Sequence, residues 1–494
     1  MKAFSRKVSY LVVVMLVLVL VLAACNRDNG EEEESGTQPP PPTTNGGTTD
    51  GGETAPPDVP AHRGNIHEPR DLGGRTIVGG AWWEGFIPFS IHQWEEPDPA
   101  TAGNYFIDRM VWENGLRVRE EFNFEYEEVI IGDFGEVMTV LTSSVLAGDP
   151  FADIMLLSGG WVLPASHGNL IVPLDEINLP GSDLFGPQIY SRFEGYLFGR
   201  PWSFVDSRPN TGGFSLGINL DLINAIGAAN PVDLYNQGRW TWDAMLEIMR
   251  LATRDTTGDG IFDQFGIAGQ PGDLAYYFIG ANDGRMVDDD LNYWLDHPNT
   301  IVALEFLEII FREGLWEYDR AHGFDTGDWS RNFFAFQDGN SAFFPAVLWA
   351  LNDGDLPFEF AVVPWPTGPN NTTGSTWMTG FDQGLAFPIG SSWDPAEILM
   401  VVEEFWSWAG DDMDLMHEDG FSWARSILPT EEDVQRQASV TNTRVSDIGM
   451  HVPYYNWIFG TFISHFATQA MTVQQVVETY RGPQQDLLDN FFRN

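Results

Sequence analysis

The sequence predicts an α/β protein of two lobes, each built on a sheet, behind a leader and a low-complexity tether. Three observations predict it. At 494 residues the chain exceeds one compact core. Strand-like and helix-like segments alternate from Leu72 onward, at a spacing that suits a parallel sheet. Halfway along, Gly195–Asn219 (GYLFGRPWSFVDSRPNTGGFSLGIN) reads as two extended pieces with an irregular join. Pro201 and Pro209 exclude a helix there. Such a crossing suits a hinge beside a cleft, or a loop between two strands of one domain.

Composition narrows the function. Acidic residues number 71 and basic residues 25, a formal net charge of −46. Such a surface repels nucleic acid. Lys2 and Lys7 are the lysines; every other basic side chain is arginine. Hydrophobic residues make up 43%, which supports a globular core.

Lys2, Arg6 and Lys7 precede an apolar run, Leu11–Ala24, too short for an ordinary span and suited to a signal peptide. It ends in Leu22-Ala23-Ala24-Cys25, and Cys25 is the one cysteine, so disulfides within the chain are excluded. The ending resembles a bacterial lipoprotein signal. The resemblance implies cleavage after residue 24 and a lipid on Cys25, hence attachment to the outer face of the cell membrane. Residues 25–71, with Glu31–Glu34, Pro39–Pro42 and Thr/Gly repeats, form a tether that cannot bury enough apolar surface to fold.

Arg75–Ala81 reads as a first strand, Phe106–Phe122 as a helix and Phe124–Ile131 as a second strand. Gly135–Ala147 is a second helix and Ala152–Leu157 a third strand. After the crossing come a strand at Phe214–Ile218, a helix opened by Trp240-Thr241-Trp242, a short strand at Phe265–Ala268 and an amphipathic helix at Thr300–Glu313. Strands at Ser341–Val347, Phe358–Pro364 and Leu385–Pro388 follow. Asp394-Pro395-Ala396-Glu397 is a helix start, with the helix running to about Ala409. Helices at Val473–Tyr480 and Gln485–Phe492 close the chain. Glu403-Glu404 reads as part of a solvated helix face.

Several segments together resemble the extracellular solute-binding proteins of carbohydrate ABC transporters. They are Ala147–Ile154 (AGDPFADI), Asn169–Asp175 (NLIVPLD), Phe214–Leu222, Trp240–Leu246, Phe336–Phe343 (FQDGNSAF), Val363–Gly368 (VPWPTG) and Leu385–Gly390. The resemblance runs from about Leu72 to the C-terminus. It implies a two-lobed, periplasmic-binding-protein-like fold, with hinge strands and a ligand cleft between the lobes. The lobes would divide as 72–205 and 362–412 for the first, 206–361 and 413–494 for the second. The chain would return to the first lobe near Val362–Pro366.

The function implied is capture of a monosaccharide or oligosaccharide and delivery to ABC permeases. Trp82, Trp83, Glu84, Trp161, Trp202, Trp349 and Asp382 are the candidate ligand contacts. Most of these tryptophans follow a strand end, where ligands collect in open α/β sheets. Flat aromatic faces cover the C–H faces of sugar rings, while carboxylates accept the hydroxyl hydrogens. Trp242, Trp406 and Trp408, at helical spacing, read as core. A peptide- or signal-binding lipoprotein feeding a sensor is a second reading, and a glycoside-active enzyme with two cleft carboxylates a third. No nucleophile elbow, phosphate loop or histidine metal spacing supports catalysis.

Asp255–Asp263 (DTTGDGIFD) follows the first half of a calcium loop, with oxygen ligands from Asp255, Thr257, Asp259, the Ile261 carbonyl and Asp263. Position twelve is Gly266, so the closing acid is missing. A hydrogen-bonded Asp-Gly turn is the other reading. No cofactor is required.

Overall fold

The computed structural model describes residues 65–82, 96–99, 104–131, 134–209, 211–317, 336–346, 348, 351, 356–379, 383–452, 463, 465, 468 and 470–493. Cys25 and tether residues 25–64 lie outside them. Residues 65–71, read as the end of the tether, are described, and His67 is buried there against Glu403 and Glu404, which corrects that part of the reading.

The first lobe is a six-stranded sheet in the order β2-β1-β3-β11-β5-β4. β1 (Arg75–Ala81) leads through α1 (Tyr105–Phe122) to β2 (Phe124–Ile130). Asn104 caps α1 through its side chain, and Asn123, at φ 48°, ends it in the left-handed region that asparagine tolerates. α2 (Val137–Ala147) leads to β3 (Ile154–Leu157), whose four residues are all buried. β1 pairs in parallel with both β2 and β3.

α3 (Gly159–His167) follows β3 directly. Gly159, Gly160 and Pro164 disguise it in the sequence. Burial of Val162, Leu163 and Ala165 holds it against the sheet, each large aliphatic side chain contributing about 1.5–3 kcal/mol. β4 (Ser191–Leu197) and β5 (Arg200–Asp206) then form an antiparallel hairpin.

The second lobe is a four-stranded sheet, β7-β8-β6-β9. β6 (Ser215–Asn219) enters it after the crossing. α4 (Trp242–Ala252), capped by Thr241, precedes β7 (Phe265–Ile267). α5 (Pro271–Gly280) and α6 (Pro298–Arg312) pack on one another, each with proline in the first turn. β8 (Ser341–Ala346) and β9 (Phe360–Val363) flank β6, both antiparallel to it. β10 (Trp377–Thr379) lies on α5, and Gly280 permits the approach: a Cβ there would sit 2.1 Å from the Trp377 carbonyl carbon.

The chain re-enters the first sheet at β11 (Gly384–Ala386). This corrects the return expected near Val362–Pro366. Val362 and Val363 belong to β9 and pair with β6, so the return falls between Thr379 and Gly384.

α7 (Pro395–Trp406) starts at Asp394, whose side chain accepts from the Ala396 N–H. Glu403 and Glu404 correct another expectation. They face inward and are fully buried. α8 (Met413–Ile427) and α9 (Glu431–Thr441) lead to β12 (Arg444–Ser446), which pairs in parallel with β10. The two helices expected at the C-terminus are one, α10 (Val473–Phe492). Its buried face continues through Val473, Val476, Val477, Gln484 and Leu488, so packing carries the helix past Pro483. Trp242, Trp406 and Trp408 are buried in the cores, as read.

Candidate ligand cleft

Strand direction locates the cleft. β11 runs antiparallel to β3 and to β5, so β5 runs with β3. The C-terminal ends of β1, β3 and β5 therefore share one edge of the first sheet, and the crossing to the second lobe leaves from it at Asp206. In the second sheet β6 begins at the crossing. The C-terminal ends of β7, β8 and β9 all lie at that same edge. The two carboxyl edges meet the crossing, the position at which ligands bind open α/β sheets.

Trp82 follows β1 and Trp161 lies in the first turn of α3. Both stand at this edge, partly buried, with ring centroids 5.0 Å apart and planes at 88°. Each ring fixes the other edge-to-face, an arrangement that aromatic quadrupoles favour. Trp202 differs. It is 7% exposed within β5, and its indole N–H donates to the Leu197 carbonyl at 3.0 Å. That position gives it packing rather than a cleft surface. Trp83, Glu84, Trp349 and Asp382 lie outside the described residues.

The opposite wall holds residues that the sequence reading passed over. β7 ends at this edge and α5 starts four residues later. Leu274, Ala275, Tyr277, Phe278 and Ile279 bury one face of α5, with Tyr277 stacked on Trp365 at 4.5 Å. Asp273 and Tyr276, three residues apart, share the partly exposed face. Asp273 has no hydrogen-bond or ion-pair partner among the described residues. Burial pushes its carboxyl up to about 6 and, with the nearby Asp273 and Asp447 charges, raises the Tyr276 phenol.

Asp447 is buried, and its carboxylate accepts from the N–H groups of Met286 (2.6 Å), Val287 (3.3 Å) and Gly449 (2.7 Å). Burial outweighs those bonds and also places it at about 6. His451, 4% exposed, is driven down to about 3 by burial, against a hydrogen bond to the backbone of Gly159. It is therefore a neutral link between this wall and the start of α3.

The crossing is fastened by charge. Arg208 donates to Asp206 at 2.9 Å and to Asp419 of α8 at 2.5 Å. Burial acts to raise the Asp206 carboxyl, but the Arg208 guanidinium outweighs it and holds the group below its ordinary value. Gln437 of α9 donates to the carbonyls of Thr211 and Gly213. Gly420 lies flat against Pro209, where a Cβ would meet the ring at 2.7 Å. A signal for Asp273 was present, in a Pro-Gly-Asp helix start directly after a strand. Asp447 and His451 gave none, because Met286 and Gly159 are distant in sequence; Asp206 gave none because its burial beside Arg208 and Asp419 is set by the fold.

The calcium candidates are engaged with their own loop. Asp255 accepts from Thr257 N–H and Oγ1, Gly258 N–H and Gly260 N–H. Asp259 accepts from the Ile261 N–H, and Asp263 from Thr256 N–H and Oγ1. Among the described residues no group of three or more His, Cys, Asp or Glu side chains is placed to hold a metal ion. Nor, among them, is any helix long and apolar enough to cross a membrane.

Solved structures share this architecture. UspC of M. tuberculosis is 18% identical, with a TM-score of 0.53, covering 83% of this chain and 100% of its own. The GacH receptor of Streptomyces glaucescens is 15% identical, with a TM-score of 0.56 and coverage of 84% and 99%. The maltose/maltodextrin-binding domain MalE from Bdellovibrio bacteriovorus is 14% identical, with a TM-score of 0.55 and coverage of 85% and 100%. These likenesses establish the two-lobed fold. No curated protein matches the chain. The family model described as "Bacterial extracellular solute-binding protein" matches residues 121–393, more than half of the chain. That span takes in β3, α3, the crossing and the whole second sheet, so the chain belongs to the bacterial extracellular solute-binding proteins, a family that binds its solutes rather than transforming them.

Proposed function

We propose that this chain is a lipid-anchored binding protein that captures a saccharide between its lobes and delivers it to the permeases of an ABC importer. The observation that carries the reading is the Trp82–Trp161 pair at the carboxyl edge of the first sheet. One ring is braced by the other, so a stacking face is held ready before ligand arrives, which lowers the ordering cost of binding. Opposite it, Asp273 offers carboxylate oxygens to hydroxyl donors. Support also comes from the ligands of similar proteins. The MalE domain was solved bound to maltotriose and the GacH receptor with acarbose.

Trp83, Glu84, Trp349 and Asp382 complete the proposed contacts, with Trp349 as the stacking partner from the second lobe. Closure follows if the ligand favours the closed form over the open one. Cys25 supplies the anchor. Loss of lipid labelling in Cys25→Ser is expected, and labelling that persists refutes the anchor.

The binding test is a thermal-shift screen of saccharides including maltotriose, followed by calorimetric titration of the best hit. A ligand of the folded state raises the melting temperature. Trp161→Ala should weaken that binding by about thirtyfold, roughly 2 kcal/mol. Wild-type affinity in this variant would remove Trp161 from the cleft.

A further inference from the structure

α3 carries Trp161 and belongs to the first lobe, yet the C-terminal part of the chain holds both of its ends. At its start, His451 is hydrogen-bonded to the Gly159 backbone. At its end, His167 stacks on Phe491 of α10, with centroids 4.3 Å apart and planes at 29°. Phe492 meets Phe198, in the turn of the β4–β5 hairpin, at 5.7 Å, and Phe491 and Phe492 meet each other at 5.1 Å.

The same C-terminal part is fastened to the second lobe. Asp447 takes the N–H groups of Met286 and Val287. Tyr293 donates its hydroxyl to the Val477 carbonyl at 2.9 Å, and Gln485 accepts from the Tyr293 N–H at 2.8 Å. Arg481 pairs with Asp296, and Arg493 donates to the Asp290 carbonyl at 2.9 Å. α10 also packs on α6. One apolar cluster accordingly runs from α2 and α3 into α4, α5, α6 and α10.

We infer that the C-terminal segment is a clasp: anchored on the second lobe, it grips α3 at both ends and sets the balance between lobe orientations. The lever is short. β5 carries the crossing at its C-terminal end, whereas Phe198 and Gly199 form the turn before its N-terminal end. The Phe491–Phe492 contact therefore sits far along the first lobe from the hinge, where a small rotation separates the rings. A change of lobe orientation must break these contacts, and the helix they hold is the one that bears Trp161. This inference goes beyond the saccharide reading and does not depend on it.

The test needs no ligand. Cys25 is the one native cysteine, so a Cys25→Ser background accepts spin labels at Ser143→Cys on α2 and Glu247→Cys on α4, both exposed positions in different lobes. Electron–electron double resonance then reads the distribution of interlobe distances. With the native phenylalanines, the main population should match the spacing of this structure. Phe491→Ala/Phe492→Ala should deplete it by roughly three- to tenfold relative to other orientations, the loss expected for aromatic pairs of this kind. Phe198→Ala should do the same in smaller measure. Phe198 is 49% exposed, so its removal leaves the core intact and decides the matter if the double variant does not fold. A distribution unchanged in Phe198→Ala and in a folded double variant overturns the clasp.

Discussion

Two pairs of inward-facing carboxyl groups meet opposite fates in this molecule. Glu403 and Glu404 lie in the first lobe, on α7, with every oxygen engaged. Glu403 takes the His67 ring at 2.7 Å, the Ser182 hydroxyl at 2.6 Å and the Leu184 N–H at 2.9 Å. Glu404 takes the His67 N–H and Arg117, the latter at 3.2 Å. Asp273 and Asp447 lie in the second lobe, where neither forms an ion pair among the described residues, although the Arg285 charge acts on Asp447. Asp447 has backbone N–H groups alone, and Asp273 has no partner among the described residues. A buried carboxylate with partners in place serves the fold; one left without them is available to a ligand.

The largest expected effect breaks the first pair. Glu403→Ala leaves His67 and Ser182 unpaired in a dry site. Each buried partner left without its hydrogen bond costs about 1–3 kcal/mol. Urea denaturation should show that loss as a lower midpoint at unchanged slope. A cost below about 1 kcal/mol would mean the cluster is not a structural staple. His67 lies in the stretch read as the end of the tether, so the same cluster ties the first described residues to α7.

The next effect concerns the cleft wall. Asp273 titrates at about 6 in the fold, against about 3.9 in an unfolded chain. Between those values the folded state holds the extra proton. Stability therefore falls as pH rises from about 4 to about 6, and is level above. Asp273→Asn cannot ionise. It should raise the melting temperature at pH 7, by an amount on the order of 1 kcal/mol once solvent screening is allowed for. It should also flatten part of the slope, the remainder belonging to Asp447. An Asp273→Asn protein that melts like wild type at pH 7 and at pH 4 would show that Asp273 is well solvated. If the cleft reading holds, the same variant gains stability while losing affinity, an opposition that no core substitution gives.

The two acid pairs also show what the sequence could reveal. β1 was legible to the residue, because RTIVGGA carries a β-branched run behind the turn residues Gly73-Gly74. The starts of α4 and α7 were legible from Thr241 and from Asp394-Pro395, since caps act within three residues. Trp82 and Trp161 were legible as strand-end residues, though not as a mutual contact. Glu403-Glu404 was misread because its partner His67 lies 336 residues earlier. Asp447 meets Met286 across 161 residues. α3 was hidden by Gly159, Gly160 and Pro164, whose helical state depends on packing rather than propensity. The return to the first lobe falls later than the family resemblance implies, because Val362 and Val363 pair with β6 in the second sheet.

The smallest expected effect comes from a third group of acids, which sharpens the contrast. Asp259 is exposed and Asp255 and Asp263 are partly so, yet their carboxylates accept from N–H and hydroxyl groups of the same loop. Those bonds hold the Asp255 and Asp263 carboxyls below their ordinary values, chiefly through the Gly260 and Thr256 N–H groups. The loop thus satisfies its carboxylates without a cation. A calcium ion would have to displace several of these bonds and would find no acid at Gly266 to close its shell. Millimolar calcium should accordingly leave the melting temperature unchanged, and chelator should do the same. Asp255→Ala should lower the melting temperature slightly, because the turn loses its hydrogen-bond acceptor in a solvated site. If calcium instead raises the melting temperature of the wild type and not of Asp259→Ala, the loop reorganises into a cation site. The acids of this chain would then divide by what neutralises them rather than by burial.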